Sequence, residues 1–265
     1  MKIFISADIE GVNNILTWDE TELDKAEYAY FRKQMTSEVY SACVGAKKAG
    51  VEDILIKDAH DSARNLILNE LPLNVKLHRG WEGKPCSMMA GLDETFDAVI
   101  FIGYHSPASS DGNPLSHTMN LKNKYVKING VLASEFYINA LYASYLKVPV
   151  AFLSGDKRLT EIVKEVNENI VTVDTKEGAH GAVISRHPYI TNKMIEEGVE
   201  KALKSDLSKN IVKLPEHFDL EIQYKHFKDA YNASFYPGCK LINEDTVLFS
   251  SDDYYEVLRA IKFIL

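Results

Sequence analysis

Residues 2–12, KIFISADIEGV, decide the fold. Ile3, Phe4 and Ile5 form a short apolar run that ends in Asp8, Glu10 and Gly11, the pattern of a buried strand emerging into a polar loop. Over residues 25–48, Tyr28, Phe31, Met35, Val39, Ala42 and Ala46 recur at three- and four-residue steps, and Gly50 follows as a stop; this predicts a long amphipathic helix. Residues 52–57 (EDILIK) are the next strand and run into DAHD at 58–61. A strand, a long helix and a strand in succession imply a right-handed crossover between parallel neighbours.

Further out, a weaker strand is expected at 75–78, a helical stretch around 86–91, and a buried strand at 98–103 (AVIFIG) that ends in Tyr104 and His105. Residues 106–120 are rich in Ser, Pro, Gly, Asp and Asn and contain His117; a loop of this length in a compact domain is more often functional than idle. Asn129-Gly130 between two apolar stretches marks a hairpin over 125–132. Ser134 then caps a helix to about Tyr145, with Glu135 in its first turn, and another strand is expected at 148–153, ending SGD. This alternation predicts an α/β fold, an open and mostly parallel sheet with flanking helices. After residue 156 helices at 159–166 and 191–203, a strand at 171–173, a strand-rich tail and a helix at 254–264 predict a smaller α+β C-terminal part. We expect the division at 1–204, carrying the metal-binding catalytic domain, and 205–265.

Composition narrows the function. The 265 residues carry 30 Lys and Arg against 38 Asp and Glu, a net charge of -8 that argues against a phosphate-binding surface, so no nucleic-acid partner is expected. Cys43, Cys86 and Cys239 are odd in number and far apart, which indicates neither a disulfide framework nor a CxxC metal site. No secretory leader pattern and no apolar run of ~18 residues is present, so a soluble, cytoplasmic protein without a membrane partner is expected. GxGxxG, GxxxxGK[ST], HExxH and GxSxG are all missing, which removes dinucleotide, P-loop, helix-borne zincin and serine-hydrolase readings.

Ligands of open parallel sheets bind beyond the carboxyl ends of the strands, where strand order reverses. Asp8 and Glu10 close the first strand, His60 the second and His105 the AVIFIG strand, and Glu135 at a helix start can reach the same edge. Two imidazoles and three carboxylates form a mixed N/O set suited to Zn, Mn or Co. Five ligands exceed the need of one catalytic zinc and suit a pair of ions bridged by a carboxylate. His117 in the covering loop is then free for acid/base work or for oxyanion stabilisation. Each residue alone has a plainer account: a strand-end Asp is usually a turn residue, a lone His is usually solvated, and Ser134 with Glu135 can simply cap a helix and complement its dipole. His78, His187, His217 and His226 lack such placement and are expected to be structural or at the surface; His180, in EGAHGA, stays undecided.

With these residues in view, the sequence resembles the D-aminopeptidase family of binuclear zinc metallopeptidases. The landmarks are SADIEGV at 6–12, KDAHD at 57–61, GLDETFD at 91–97, GYHS at 103–106, SHTM at 116–119, NGVLASEFYINA at 129–140 and, more thinly, SGD at 154–156. The resemblance implies two Zn2+ ions per chain, with Asp8 bridging them, Glu10 and His60 completing one and His105 and Glu135 the other; it implies His117 as the catalytic histidine and a ring-shaped homo-oligomer. Ser134 stands where the family usually has Gly, and Ala59 and Asp61 flank His60 where small hydroxyl residues are common, which touches metal affinity and substrate preference rather than the ligands.

The expected activity is therefore metal-dependent removal of the N-terminal residue, a D-residue included, from short peptides or amino-acid amides. The rivals are a two-metal amidase, deacylase or phosphoesterase acting on another bond, and a non-catalytic metal- or peptide-binding protein. Lys and Arg are sparse beside the motifs, which weighs against phosphate. An uncoordinated acid/base histidine has no use in a storage site.

Overall fold

A computed structural model describes all residues 1–265. Its larger sheet has seven strands: β1 (Lys2–Ala7), β2 (Asp53–Asp58), β3 (Val75–His78), β4 (Ala98–Tyr104), β7 (Val150–Asp156), β8 (Val171–Ala179) and β9 (Ala182–Ser185). Their order is β3-β2-β1-β4-β7-β8-β9, all parallel except β9, which returns antiparallel along β8. The chain moves one way from β1 to β3 and then resumes on the far side of β1 with β4. Strand order therefore reverses between β1 and β4, where an open α/β sheet forms its crevice.

Alternation along the central strands divides the core into two. Ile3, Ile5, Ala7, Ile100 and Ile102 face α1 (Tyr28–Lys48) and α4 (Pro188–Leu203) on one side. Phe4, Val99 and Phe101 face α2 (Glu135–Tyr145) and α6 (Tyr254–Ile264) on the other, with α3 (Lys157–Val166) packed beyond. A fully buried parallel strand has no solvent face, so apolar residues on both sides of the pleat are what the fold demands.

The second sheet is antiparallel, in the order β11 (Lys240–Asn243), β12 (Thr246–Ser251), β10 (Phe218–Tyr224), β5 (Asn123–Ile128), β6 (Val131–Leu132), with the short α5 (Phe227–Ala233) against it. Asn129 and Gly130 both take positive φ, 51° and 79°, the backbone that a two-residue hairpin turn requires. The expected division at 204 runs through this arrangement: β10 pairs with β5 from the earlier part of the chain. The helical stretch expected at 86–91 is a single 3-10 turn, Ser87–Met89, and the strand expected at 171–173 runs on to Ala179 because β9 pairs with its end. No helix is long and apolar enough to cross a membrane.

Candidate metal centre

Two glycines let β1 and β4 converge at the switch point. The Gly11 amide donates to the Gly103 carbonyl at 2.8 Å, and a side chain at Gly11 would collide with the Tyr104 carbonyl, one at Gly103 with that of Asp8. Gly103 also has φ +70°. The close approach brings the residues after β1 beside those after β4.

All six residues singled out in the sequence meet there. His60 Nδ1 lies 3.4 Å from Asp8 Oδ1 and 3.1 Å from Glu10 Oε1. His105 Nε2 lies 3.5 Å from Asp8 Oδ2 and 3.4 Å from Glu135 Oε2. His117 Nε2 lies 3.5 Å from Glu135 Oε1 and 3.9 Å from Glu10 Oε1. Asp8 thus stands between two groups, one oxygen toward His60 and the other toward His105. The residues form overlapping sets able to hold a cation: Asp8–Glu10–His60, Asp8–His105–Glu135 and Glu10–His105–His117.

The hydrogen bonds behind the imidazoles orient them. His60 Nε2 faces the Thr21 carbonyl at 3.0 Å, His105 Nδ1 the Ser106 carbonyl at 2.9 Å and His117 Nδ1 the Leu115 carbonyl at 2.9 Å. A carbonyl only accepts, so in each ring the outer nitrogen donates, which makes the inner one the ligating atom whenever the ring is neutral. This is the arrangement of metal-ligating imidazoles. It leaves atoms without partners: Glu10 Oε2 and His105 Nε2 are buried and bond to nothing in the protein. Such groups are costly to bury unless a further partner completes them.

Electrostatics tell the same story. Burial and the Glu10 charge push Asp8 well above the usual carboxylate range. Burial likewise opposes ionisation of Glu10 and Glu135, but the nearby imidazoles, His60 for Glu10 and His105 for Glu135, pull both below their ordinary values. His105, although burial disfavours its charge, is pushed up to about 10 by Glu135, Glu10 and Asp8. His117 instead falls, through burial and the neighbouring His105. The protein alone balances its carboxylates by protonating imidazoles, whereas cations would do so with the lone pairs left free.

Further residues support the cluster. Asn113 Nδ2 and the buried Lys176 Nζ both donate to the Glu10 carbonyl, at 2.9 and 2.5 Å, and Lys176 also reaches Ile15. Asp156 accepts from the Ser106 backbone N–H and hydroxyl and caps α3 through Leu159 N, tying down the residue after His105. Ser134 caps α2 by accepting from Tyr137 N, so the plainer account of that residue holds while Glu135 turns inward. The other histidines lie outside the site: His78 pairs with Glu82, His217 with Asp252, His187 caps α4, and His180 is exposed beside Asp111. The cluster opens into a cavity of about 480 Å³ walled by Trp18, Trp81, Met88 and Leu121, and His117 sits edge-to-face with Trp18 and stacked on His105 at 4.2 Å.

Fold and cluster define an α/β protein with a buried imidazole–carboxylate cluster, of a donor set able to hold cations, at the switch point of its sheet. A family model described as D-aminopeptidase matches residues 1–263, and the chain belongs to that family of peptidases. A D-aminopeptidase of Bacillus subtilis (strain 168) is 30% identical over 264 residues, spanning 98% of this chain and 95% of the relative. The solved structure of the Zn-dependent D-aminopeptidase DppA from Bacillus subtilis, described as a self-compartmentalizing protease, matches with a TM-score of 0.94 at 28% identity over 100% of this chain and 96% of that one.

Proposed function

We propose that this protein is a zinc-dependent aminopeptidase that removes the N-terminal residue, a D-residue included, from short peptides, working in the cytoplasm as a ring-shaped homo-oligomer. The observation that carries the reading is the pair of partnerless buried atoms, Glu10 Oε2 and His105 Nε2, inside a ring of inward-facing imidazole nitrogens and carboxylate oxygens. Two ions per chain fit the donor set: Glu10 and His60 would hold one, His105 and Glu135 the other, with Asp8 shared, as its two oxygens divided between His60 and His105 suggest. Manganese or cobalt would suit the same donors. Bound zinc would supply a water acidified toward neutrality and a Lewis acid for the peptide carbonyl.

The chain's own residues do the rest. At 12% exposure His117 is the least enclosed of the six. Its Nδ1 is committed to the Leu115 carbonyl, so Nε2 is the atom that takes a proton from the attacking water and returns it to the leaving amine. Its lowered pKa keeps it neutral and able to accept at pH 7. Trp18 and Trp81 wall the cavity and limit water around the peptide. The names of the two relatives support zinc, D-residues and self-assembly, and the three free cysteines are compatible with a reducing compartment.

The test is hydrolysis of L- and D-aminoacyl amides and dipeptides, before and after chelation and after adding zinc back. Chelator-sensitive release of the N-terminal residue, restored by zinc, is the expected result. Cleavage that survives chelation, or no cleavage of any member with zinc bound, would overturn the reading.

A further inference from the structure

One buried carboxamide reaches three arms of the cluster. Asn113 Oδ1 accepts from Leu115 N at 2.9 Å, while Nδ2 donates to the Glu10 carbonyl at 2.9 Å and to Asp156 Oδ2 at 3.3 Å. Each partner leads to a member of the site. The Leu115 carbonyl accepts from His117 Nδ1, and Glu10 is itself a member. Asp156 Oδ2 also accepts from Ser106 N at 2.7 Å, and the Ser106 carbonyl accepts from His105 Nδ1.

The three partners together demand an amide: one is an N–H, which needs an acceptor, and two are oxygens, which need donors. A carboxylate would lack both donors, and an aliphatic side chain would offer nothing. The turn that carries Asn113 is also packed tightly. A Cβ on Gly112 would stand 2.5 Å from Ser106 Oγ and 2.3 Å from Arg158 Cβ, and one on Gly178 of β8 would stand 2.3 Å from the Gly112 carbonyl oxygen. No helix or strand lies between β4 and β5, only turns and the isolated Thr118–Asn120 bridge, so side-chain bonds must set where His117 stands. Its Nε2 lies 3.5 Å from Glu135 and 3.9 Å from Glu10.

Resting on the aminopeptidase reading, we infer that Asn113 is a positioning residue that holds the His117 imidazole in register with Glu10 and with the His105 arm. It does not line the catalytic cavity, so it touches neither substrate nor reacting atoms. Its influence falls on the chemical step and leaves substrate affinity alone, because a misplaced acid/base group slows proton transfer without removing a contact to the peptide.

The experiment measures kcat, KM and zinc content on dialanine, in the chirality that zinc-loaded wild type hydrolyses, for wild type, Asn113→Ala, Asn113→Asp and Asn210→Ala. The last variant removes a buried carboxamide from the opposite end of β7, where Asn210 Nδ2 donates to the Val150 carbonyl at 2.9 Å. Asn113→Ala should lower kcat roughly ten- to hundredfold, with KM within about twofold and zinc content unchanged. Asn113→Asp should fall at least as far, since it turns acceptors toward the Glu10 carbonyl and Asp156. Asn210→Ala should keep kcat within about twofold of wild type, whatever it costs in melting temperature. Wild-type kcat in Asn113→Ala, a fall in step with lost zinc, an equal fall in Asn210→Ala, or an Asn113→Ala chain that does not fold while Asn210→Ala does would each overturn the positioning role. If zinc-loaded wild type cleaves no peptide, the aminopeptidase reading fails and this role with it.

Discussion

Asp8 follows β1 and Asp58 ends the neighbouring β2 at the same edge of the sheet, and both are buried, yet they are built for different ends. Asp58 accepts from Asn65 N at 2.6 Å, Leu66 N at 2.8 Å and Asn65 Nδ2 at 2.8 Å, so its charge is satisfied by the turn it holds. Asp8 has one backbone donor, Ile9 N, and otherwise faces imidazoles; Glu10 keeps an oxygen with no partner at all. Glu38 lies between the extremes. One of its oxygens accepts from Asn13 N, the other is alone, and burial pushes its pKa up to about 7. The count of donors around a buried carboxylate separates one that secures structure, one that keeps its proton and one left open to a further partner.

The largest effect expected from that contrast is at Glu10. Glu10→Gln should bring peptide hydrolysis below detection and lower the melting temperature of the metal-free protein only a little, because the imidazoles that hold the Glu10 carboxyl below its ordinary value lose one of several carboxylate partners. A large fall in metal-free stability would place Glu10 with Asp58. His117→Ala should lower kcat by roughly 10²–10⁴ with zinc content retained; loss of zinc in step with activity would make His117 a ligand. Asp58→Ala inverts the pattern: it leaves Asn65 and Leu66 donors unmatched and should cost roughly 3 kcal/mol in denaturant unfolding, metal-free or loaded.

The smallest effect is a pH dependence. Glu38 holds its proton in the folded state up to about 7, whereas the unfolded chain loses it near the ordinary value of 4.5. Its contribution is full below the lower value and is lost as pH rises through the upper one. Glu38→Gln should therefore be more stable than wild type by roughly 1–2 kcal/mol at pH 8, with the gap closing near pH 4. A gap that is independent of pH would mean that Glu38 ionises as freely as a surface carboxylate.

Much of this was legible in the sequence because it follows from short-range pattern. Buried strands announce themselves as apolar runs, and the polar residue ending each run had to lie at the sheet edge; Asp8, His60 and His105 were found that way. Glu135 was legible through the hairpin and the Ser134 cap. The supporting residues were not. Asn113 and Lys176 reach the Glu10 carbonyl from 103 and 166 residues away, and nothing near a buried Lys in sequence reveals two backbone acceptors. SGD was visible only as a strand end, whereas Asp156 acts across to Ser106. The pairing of β10 with β5 escaped for the same reason: antiparallel partners almost 100 residues apart leave no local signature.

The measurement that tests the central claim most directly is a calorimetric titration of zinc into metal-free protein, run in parallel on wild type, Glu10→Gln and Asp58→Asn. Tight binding of about two ions by wild type, released protons, a weakened or lost site in Glu10→Gln and full stoichiometry in folded Asp58→Asn would place the cation site at the switch point. Equal zinc binding by wild type and Glu10→Gln, or none by wild type, would contradict it.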